Sequence, residues 1–353
     1  MSSNANDEVL FAVENGNVGV ITLNRPKALN ALNLPMANAI LPQIKEWAAD
    51  SKIKLVLIEG TGEKAFCAGG DIRAITEAKG AKTQGDFFKL EYYLNNTIGT
   101  LSVPYVALIH GITMGGGVGL SVHGRYRVCT EKTVFAMPET GIGLVPDVGG
   151  GFFLPRLRGE LGMFLALTGH RLKGADVLHA GIATHGVELA NLPALRSQLI
   201  EAAESGVEGV LDAQSEAFKN VQPQFSLEDQ MERINECFSA ASVEEILERL
   251  AGAGEWGEKQ AKVIRRMSPT SLAVSFRQLR EGADMSSLAE VLTMEYRLVR
   301  RCCEDEDFYE GVRAVLVDRD NSPKWNPSDL SKVTREHVDK YFEPLQDGLD
   351  MKF

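Results

Sequence analysis

Cysteine is scarce in this chain of 353 residues: Cys67, Cys129, Cys237, Cys302 and Cys303 show no CxxC spacing, and no histidine pair stands at metal-ligand distance. That pattern gives no metal site and no disulfide framework, and a chain of this size needs no such staples; the expectation is a reducing compartment. Basic residues are also in deficit. Lys+Arg number 37 against 48 Asp+Glu, a formal net charge of −11, so nucleic acid, which requires a basic face, is not the expected partner. No apolar run approaches the roughly 18 residues of a membrane span, and no membrane partner is expected. Glycine motifs for nucleotides are missing too: no GxGxxG is completed from Gly115 or Gly117, and there is no GxxxxGK[ST]. The stretch Gly119-Leu120-Ser121-Val122-His123-Gly124 has one residue too many for a serine-hydrolase elbow, so His123 and His110 read as structural. The opening Met1–Asp7 has neither the apolar stretch of a secretion signal nor the arginines of an organelle presequence. Either the protein is cytosolic or a presequence is missing from this chain.

What the chain does contain changes character along its length. Val18–Leu23, 53–58 and Tyr105–Ile109 are β-rich apolar runs, with shorter ones near 126–129 and 133–136. Between them, helical spacing appears over 36–49 (Met36, Ile40, Ile44, Trp47) and over about 84–100, and it resumes from about 148. From about 192 strand-like runs cease and helical stretches follow at 192–204, 228–252, 256–266 and 285–303. This order predicts an α/β core over 1–200 with an α-helical C-terminal region over 201–353 packed on it.

Three glycine-rich spots punctuate the α/β part: Ala68-Gly69-Gly70-Asp71, Met114-Gly115-Gly116-Gly117-Val118-Gly119 and Val148-Gly149-Gly150-Gly151. Each is either a plain turn or the start of a helix whose unpaired N–H groups face a ligand; two converging on one oxygen would make an oxyanion hole. Three acids stand out beside them. Glu91 shares a helical stripe with Phe87, Leu94 and Ile98, where a carboxylate is costly unless it is paired or lines a cavity. Glu139 and Asp147 are the only formal charges between Phe135 and Asp147, and apolar surroundings raise a carboxyl pKa and suit acid–base work.

Taken in order, these segments resemble the crotonase (enoyl-CoA hydratase/isomerase) superfamily. The matching stretches are Asn24-Arg25-Pro26-Lys27-Ala28-Leu29-Asn30-Ala31-Leu32, Ala65–Ile72, His110-Gly111 through Gly117, and Met137-Pro138-Glu139. A longer match, through Met267–Leu272, Met294–Leu298 and Glu310–Trp325, extends the likeness over almost the whole chain. The resemblance implies a crotonase-like ββα spiral core, with the N–H groups of Gly70 and Gly116 on an acyl-CoA thioester carbonyl. It also implies Glu139 and Asp147 as catalytic acids, Glu91 on the acyl hydroxyl, and Lys27 and Arg73 on CoA phosphates, with Lys324 a weaker candidate.

Hydratases of the superfamily use two glutamates, the first three residues after the oxyanion glycine. Here that position is Gly119, and Asp147 stands where hydratases generally carry glycine. The exchange favours thioester hydrolysis over hydration, and the resemblance implies a small 3-hydroxyacyl-CoA substrate (3-hydroxyisobutyryl-CoA, and 3-hydroxypropionyl-CoA beside it), as in valine breakdown, with no cofactor beyond the CoA of the substrate. By the same resemblance the expected location is the mitochondrial matrix, and a homo-oligomer is expected because crotonases commonly form trimers or hexamers. Enoyl-CoA hydration or isomerisation stays open as one alternative, and a catalytically silent acyl-CoA-binding protein as another.

Overall fold

The computed structural model describes residues 5–77, 81–346 and 349–353. Compactness divides the chain into two units, each made of three segments: one holds 1–70, 93–135 and 171–228, the other 71–92, 136–170 and 229–353. The partition at residue 200 was drawn from element type, a different criterion; among the described residues the last strand is His185–Gly186 and the elements from Leu189 onward are helical.

Among the described residues ten strands lie in the first unit or at its border: β1 (Val9–Glu14), β2 (Val18–Leu23), β3 (Leu55–Gly60), β4 (Ala65–Cys67), β5 (Tyr105–Ile109), β6 (Ile112–Met114), β7 (Tyr126–Cys129), β8 (Val134–Ala136), β9 (Leu172–Lys173) and β10 (His185–Gly186). They form a large sheet ordered β1-β2-β3-β5-β7-β10 and a small one ordered β4-β6-β8-β9. Three successive pairs, β3/β4, β5/β6 and β7/β8, therefore place their first strand in the large sheet and their second in the small one, the repeating ββα turn of the expected spiral. β1 runs antiparallel to β2, and every other neighbour in the large sheet is parallel.

Parallel strands covered on both faces read as continuous apolar runs, which is why the buried runs of β3 and β5 carry no polar alternation. On one face Val18, Val20, Leu55, Leu57, Val106 and Leu108 meet Leu195, Leu199 and Leu211 from the helices Leu192–Glu201 and Glu208–Val221. The helix Leu34–Ala49 buries Met36, Ile40, Ile44 and Trp47, as its spacing predicts, and Asn33 caps it by accepting from the Met36 N–H at 2.9 Å. Its Trp47 ring occupies the space a side chain on Gly19 would need.

Some elements differ from expectation at their ends or in number. The strand read at 53–58 runs Leu55–Gly60, and the stretch 228–252 is two main helices, Met231–Phe238 and Val243–Ala251, parted where Ser242 caps the second. β1 and the helices Glu208–Val221 and Pro269–Asp284 were not expected, the last despite a Ser268 cap. In the second unit, Pro269–Asp284 lies against the short helix Gly150–Phe153, with Gly282 backed directly onto the Gly151 carbonyl. Leu288–Cys302 begins with a capping box between Ser287 and Glu290.

Candidate active site

β4 and β6 are parallel neighbours, and both glycine loops leave from their C-terminal ends, where open α/β sheets characteristically hold ligands. After β4 the chain is pinned on two sides. Ala68 N–H donates to Leu29 O at 3.0 Å, and Leu32 N–H donates to Gly69 O at 2.8 Å. The receiving loop is fixed by Asn30, fully buried, whose side chain accepts from Arg25 N–H at 2.8 Å and donates to Thr61 O and Ala65 O at 2.9 and 3.0 Å. This bridge consumes the Gly69 carbonyl and leaves the Gly70 N–H without an acceptor among the described residues.

After β6, Gly115 turns the chain at φ 44° into the short helix Gly116–Gly119. Gly117 lies so close to the Cys67 carbonyl that a Cβ would collide with it, so glycine is required there for the helix to sit against β4. Gly116, the first helical residue, also keeps an N–H with no acceptor among the described residues. The third glycine spot differs. Gly150 N–H donates to Asp147 O at 2.8 Å, and those of Gly149 and Gly151 donate to Glu295 at 2.7 Å each. Two of its amides serve the Glu295 carboxylate and the third a backbone carbonyl, so all three are already engaged.

Ser121 Oγ bonds back to Gly117 O at 2.9 Å, and His110 Nε2 meets Gly62 O at 2.8 Å.

The second unit gathers the acids. Glu91, on the helix Ala81–Gly99, is 2% exposed, and Glu139, which opens the turn Glu139–Ile142, is 5% exposed. Each has a buried carboxyl oxygen, Oε1 and Oε2 respectively, with no hydrogen-bond partner among the described residues. Asp147 is equally buried and accepts from the Tyr92 hydroxyl at 2.7 Å through Oδ2. Burial pushes the Glu91 and Glu139 carboxyls well above the usual carboxylate range, and the neighbouring Asp147 charge pushes both further. Burial likewise lifts Asp147 to about 7, against the pull of the Tyr92 hydroxyl. Within this cluster Asp147 can hold and release a proton near neutral pH. The cationic candidates are exposed: Lys27 in the turn Pro26–Ala28, Arg73 on the helix Ile72–Glu77, and Lys324.

Sequence reasoning missed Tyr92, Glu295 and Gln278. Glu295 had the same signal that marked Glu91, since it shares a helical face with Val291, Leu292, Leu298, Val299 and Cys302, all buried. Gln278 donates to Pro146 O at 2.7 Å and to Glu295 Oε1 at 3.0 Å.

Comparison with known proteins places relatives along the whole chain. The family model described as "Enoyl-CoA hydratase/isomerase" matches residues 18–342. A Danio rerio protein named "3-hydroxyisobutyryl-CoA hydrolase, mitochondrial" is 57% identical over 359 residues, covering 100% of this chain and 93% of the relative. A Gallus gallus protein of the same name is 57% identical over 337 residues, covering 94% and 87%. Among solved structures, a carnitinyl-CoA dehydratase from Mycobacterium thermoresistibile is 37% identical with a TM-score of 0.91, each chain covered to 98%.

Proposed function

Because the chain belongs to the enoyl-CoA hydratase/isomerase family, we propose that it hydrolyses the thioester of 3-hydroxyisobutyryl-CoA to the free hydroxy acid and CoA. The observation that carries this reading is the acid set itself: Glu139 and Asp147 are buried with raised pKa values, while position 119 is a glycine with no side chain to serve as a second glutamate. Paired-glutamate hydration therefore lacks one partner.

In the proposed reaction, the N–H groups of Gly70 and Gly116 donate to the thioester oxygen and stabilise the negative charge it gains when the carbonyl carbon is attacked. Each such donor is worth about 2.7–4 kcal/mol in the transition state. Burial disfavours the charged form of Glu139, so the reactive fraction is its deprotonated carboxylate, which either attacks that carbon, giving an anhydride that water then opens, or takes the proton of the water that attacks. The tetrahedral intermediate collapses with the C–S bond pair leaving on sulfur, and Asp147, titrating near 7, returns a proton to the CoA thiolate. Glu91, neutral because its charged form is disfavoured by burial, hydrogen-bonds the acyl hydroxyl. Lys27 and Arg73 hold CoA phosphates. Valine breakdown in the mitochondrial matrix and a homo-oligomeric state complete the proposal; the relatives' names carry the word mitochondrial.

The test is parallel kinetics on two substrates. Thiol release from 3-hydroxyisobutyryl-CoA, followed with a chromogenic thiol reagent, is expected to exceed turnover of crotonyl-CoA by orders of magnitude. Comparable hydration of crotonyl-CoA would restore the hydratase reading, and no thiol release from any small 3-hydroxyacyl-CoA would support a silent binding protein. Single-turnover reaction in oxygen-18 water separates the two roles of Glu139, since label enters its carboxylate only by way of the anhydride.

A further inference from the structure

Glu295 is fully buried, yet the proposed chemistry gives it no task. Its two oxygens accept from three N–H donors: Oε2 from Gly149 at 2.7 Å, and Oε1 from Gly151 at 2.7 Å and from Gln278 Nε2 at 3.0 Å. Gln278 extends the clamp by donating to Pro146 O at 2.7 Å. Asp147 thus sits in a loop held at Pro146 on one side and at Gly149 and Gly151 on the other. Between these anchors, Val148 adopts φ 51°, a left-handed conformation that β-branched residues rarely take and that persists only where its surroundings enforce it. From this geometry we infer that Glu295 is a positioning residue, which through the Gly149 and Gly151 amides holds the Asp147 carboxyl in the orientation that Tyr92 also engages. The inference rests on the role given to Asp147 above.

The chemistry of the clamp makes it sensitive to one atom pair. All three partners donate, so the geometry suits a carboxylate acceptor, and these N–H bonds pull against the burial that lifts Glu295 to about 8. In Glu295→Gln the amide NH2 would face an N–H, and one anchor of the loop is lost.

The test is a double-mutant cycle on the full-length protein. Glu295→Gln is expected to lower kcat for thiol release about 100-fold, the scale of a 1 Å misplacement, with KM changed less than about threefold. Asp147→Asn alone tests the role of Asp147, since full activity in that variant defeats it and this inference together. With Asp147 already replaced, adding Glu295→Gln should cost less than about threefold more, because the group it positions is gone. Full additivity would assign Glu295 a purely structural role and overturn the inference, as would a wild-type kcat in Glu295→Gln. Should Glu295→Gln fail to fold, Gln278→Met removes the outer donor. By itself it is expected to lower kcat about 10-fold, and hardly at all when added to Asp147→Asn; equal losses on both backgrounds overturn the inference.

Discussion

A methyl group added at residue 117 tests the oxyanion hole through a backbone donor that mutation cannot delete. In Gly117→Ala the new Cβ would stand 2.9 Å from the carbonyl carbon and Cβ of Cys67, and closer still to the carbonyl oxygen. Carbon atoms in contact settle at about 3.5 Å, so the short helix Gly116–Gly119 must retreat from β4 by at least about 0.6 Å. A donor bonded at about 2.9 Å would then stand near 3.5 Å, at the limit of a hydrogen bond. Losing one such donor corresponds to about 2.7–4 kcal/mol, or roughly a 10²–10³-fold fall in kcat. KM should change little if the contact matures only in the transition state. The assay is thiol release at saturating substrate, normalised to folded protein by circular dichroism. Gly186→Ala serves as control: its Cβ would collide with the Phe218 ring, so it should lower Tm while leaving kcat per folded molecule intact. A Gly117→Ala protein that loses Tm but keeps kcat within threefold would refute the placing of the Gly116 amide on the substrate oxygen.

Three further outcomes follow from the acids and the cations. Glu91 is held neutral by burial and by its acidic neighbours, so the folded state binds its proton more tightly than the unfolded chain does. Stability present at pH 4 is then lost as pH rises toward the folded pKa, by up to about 1.4 kcal/mol per pH unit. Glu91→Gln should therefore raise Tm more at pH 8 than at pH 5 while raising KM for the hydroxyacyl substrate; a Tm gain independent of pH would contradict this. With Asp147 lifted to about 7, kcat should fall on the alkaline side as the protonated form is lost. Asp147→Asn should lower kcat and abolish that limb, and an unchanged profile would remove Asp147 from proton delivery. Lys27→Glu and Arg73→Glu should each raise KM several-fold and weaken its salt dependence with kcat unchanged; intact KM values in both would exclude these side chains from phosphate binding.

Local patterns were legible wherever one segment decides its own fate. β2 and β5 fall on the residues their apolar runs marked, and Glu91 lies buried on the stripe shared with Phe87, Leu94 and Ile98. The segments carrying Gly70, Gly116 and Glu139 could be picked out because their glycines and acids are dense over a few residues. What stayed hidden depends on residues far apart in sequence. Glu295 meets Gly149 across 146 positions, so the third glycine spot looked like another open helix start although a carboxylate already fills it. Gly117 gave no hint that its missing Cβ makes room for Cys67. β1 was passed over although Val9–Val13 is a continuous apolar run; at the edge of the sheet the strand leaves Leu10 and Val13 exposed.

The most direct measurement is the rate of thiol release from 3-hydroxyisobutyryl-CoA by Glu139→Gln, a substitution that keeps the volume of the side chain and removes its ionisable carboxyl. The expected result is a fall in kcat of at least about 10³-fold with the fold intact, on the scale of losing a nucleophile or general base. A folded variant that releases CoA at the wild-type rate would contradict the account at its centre.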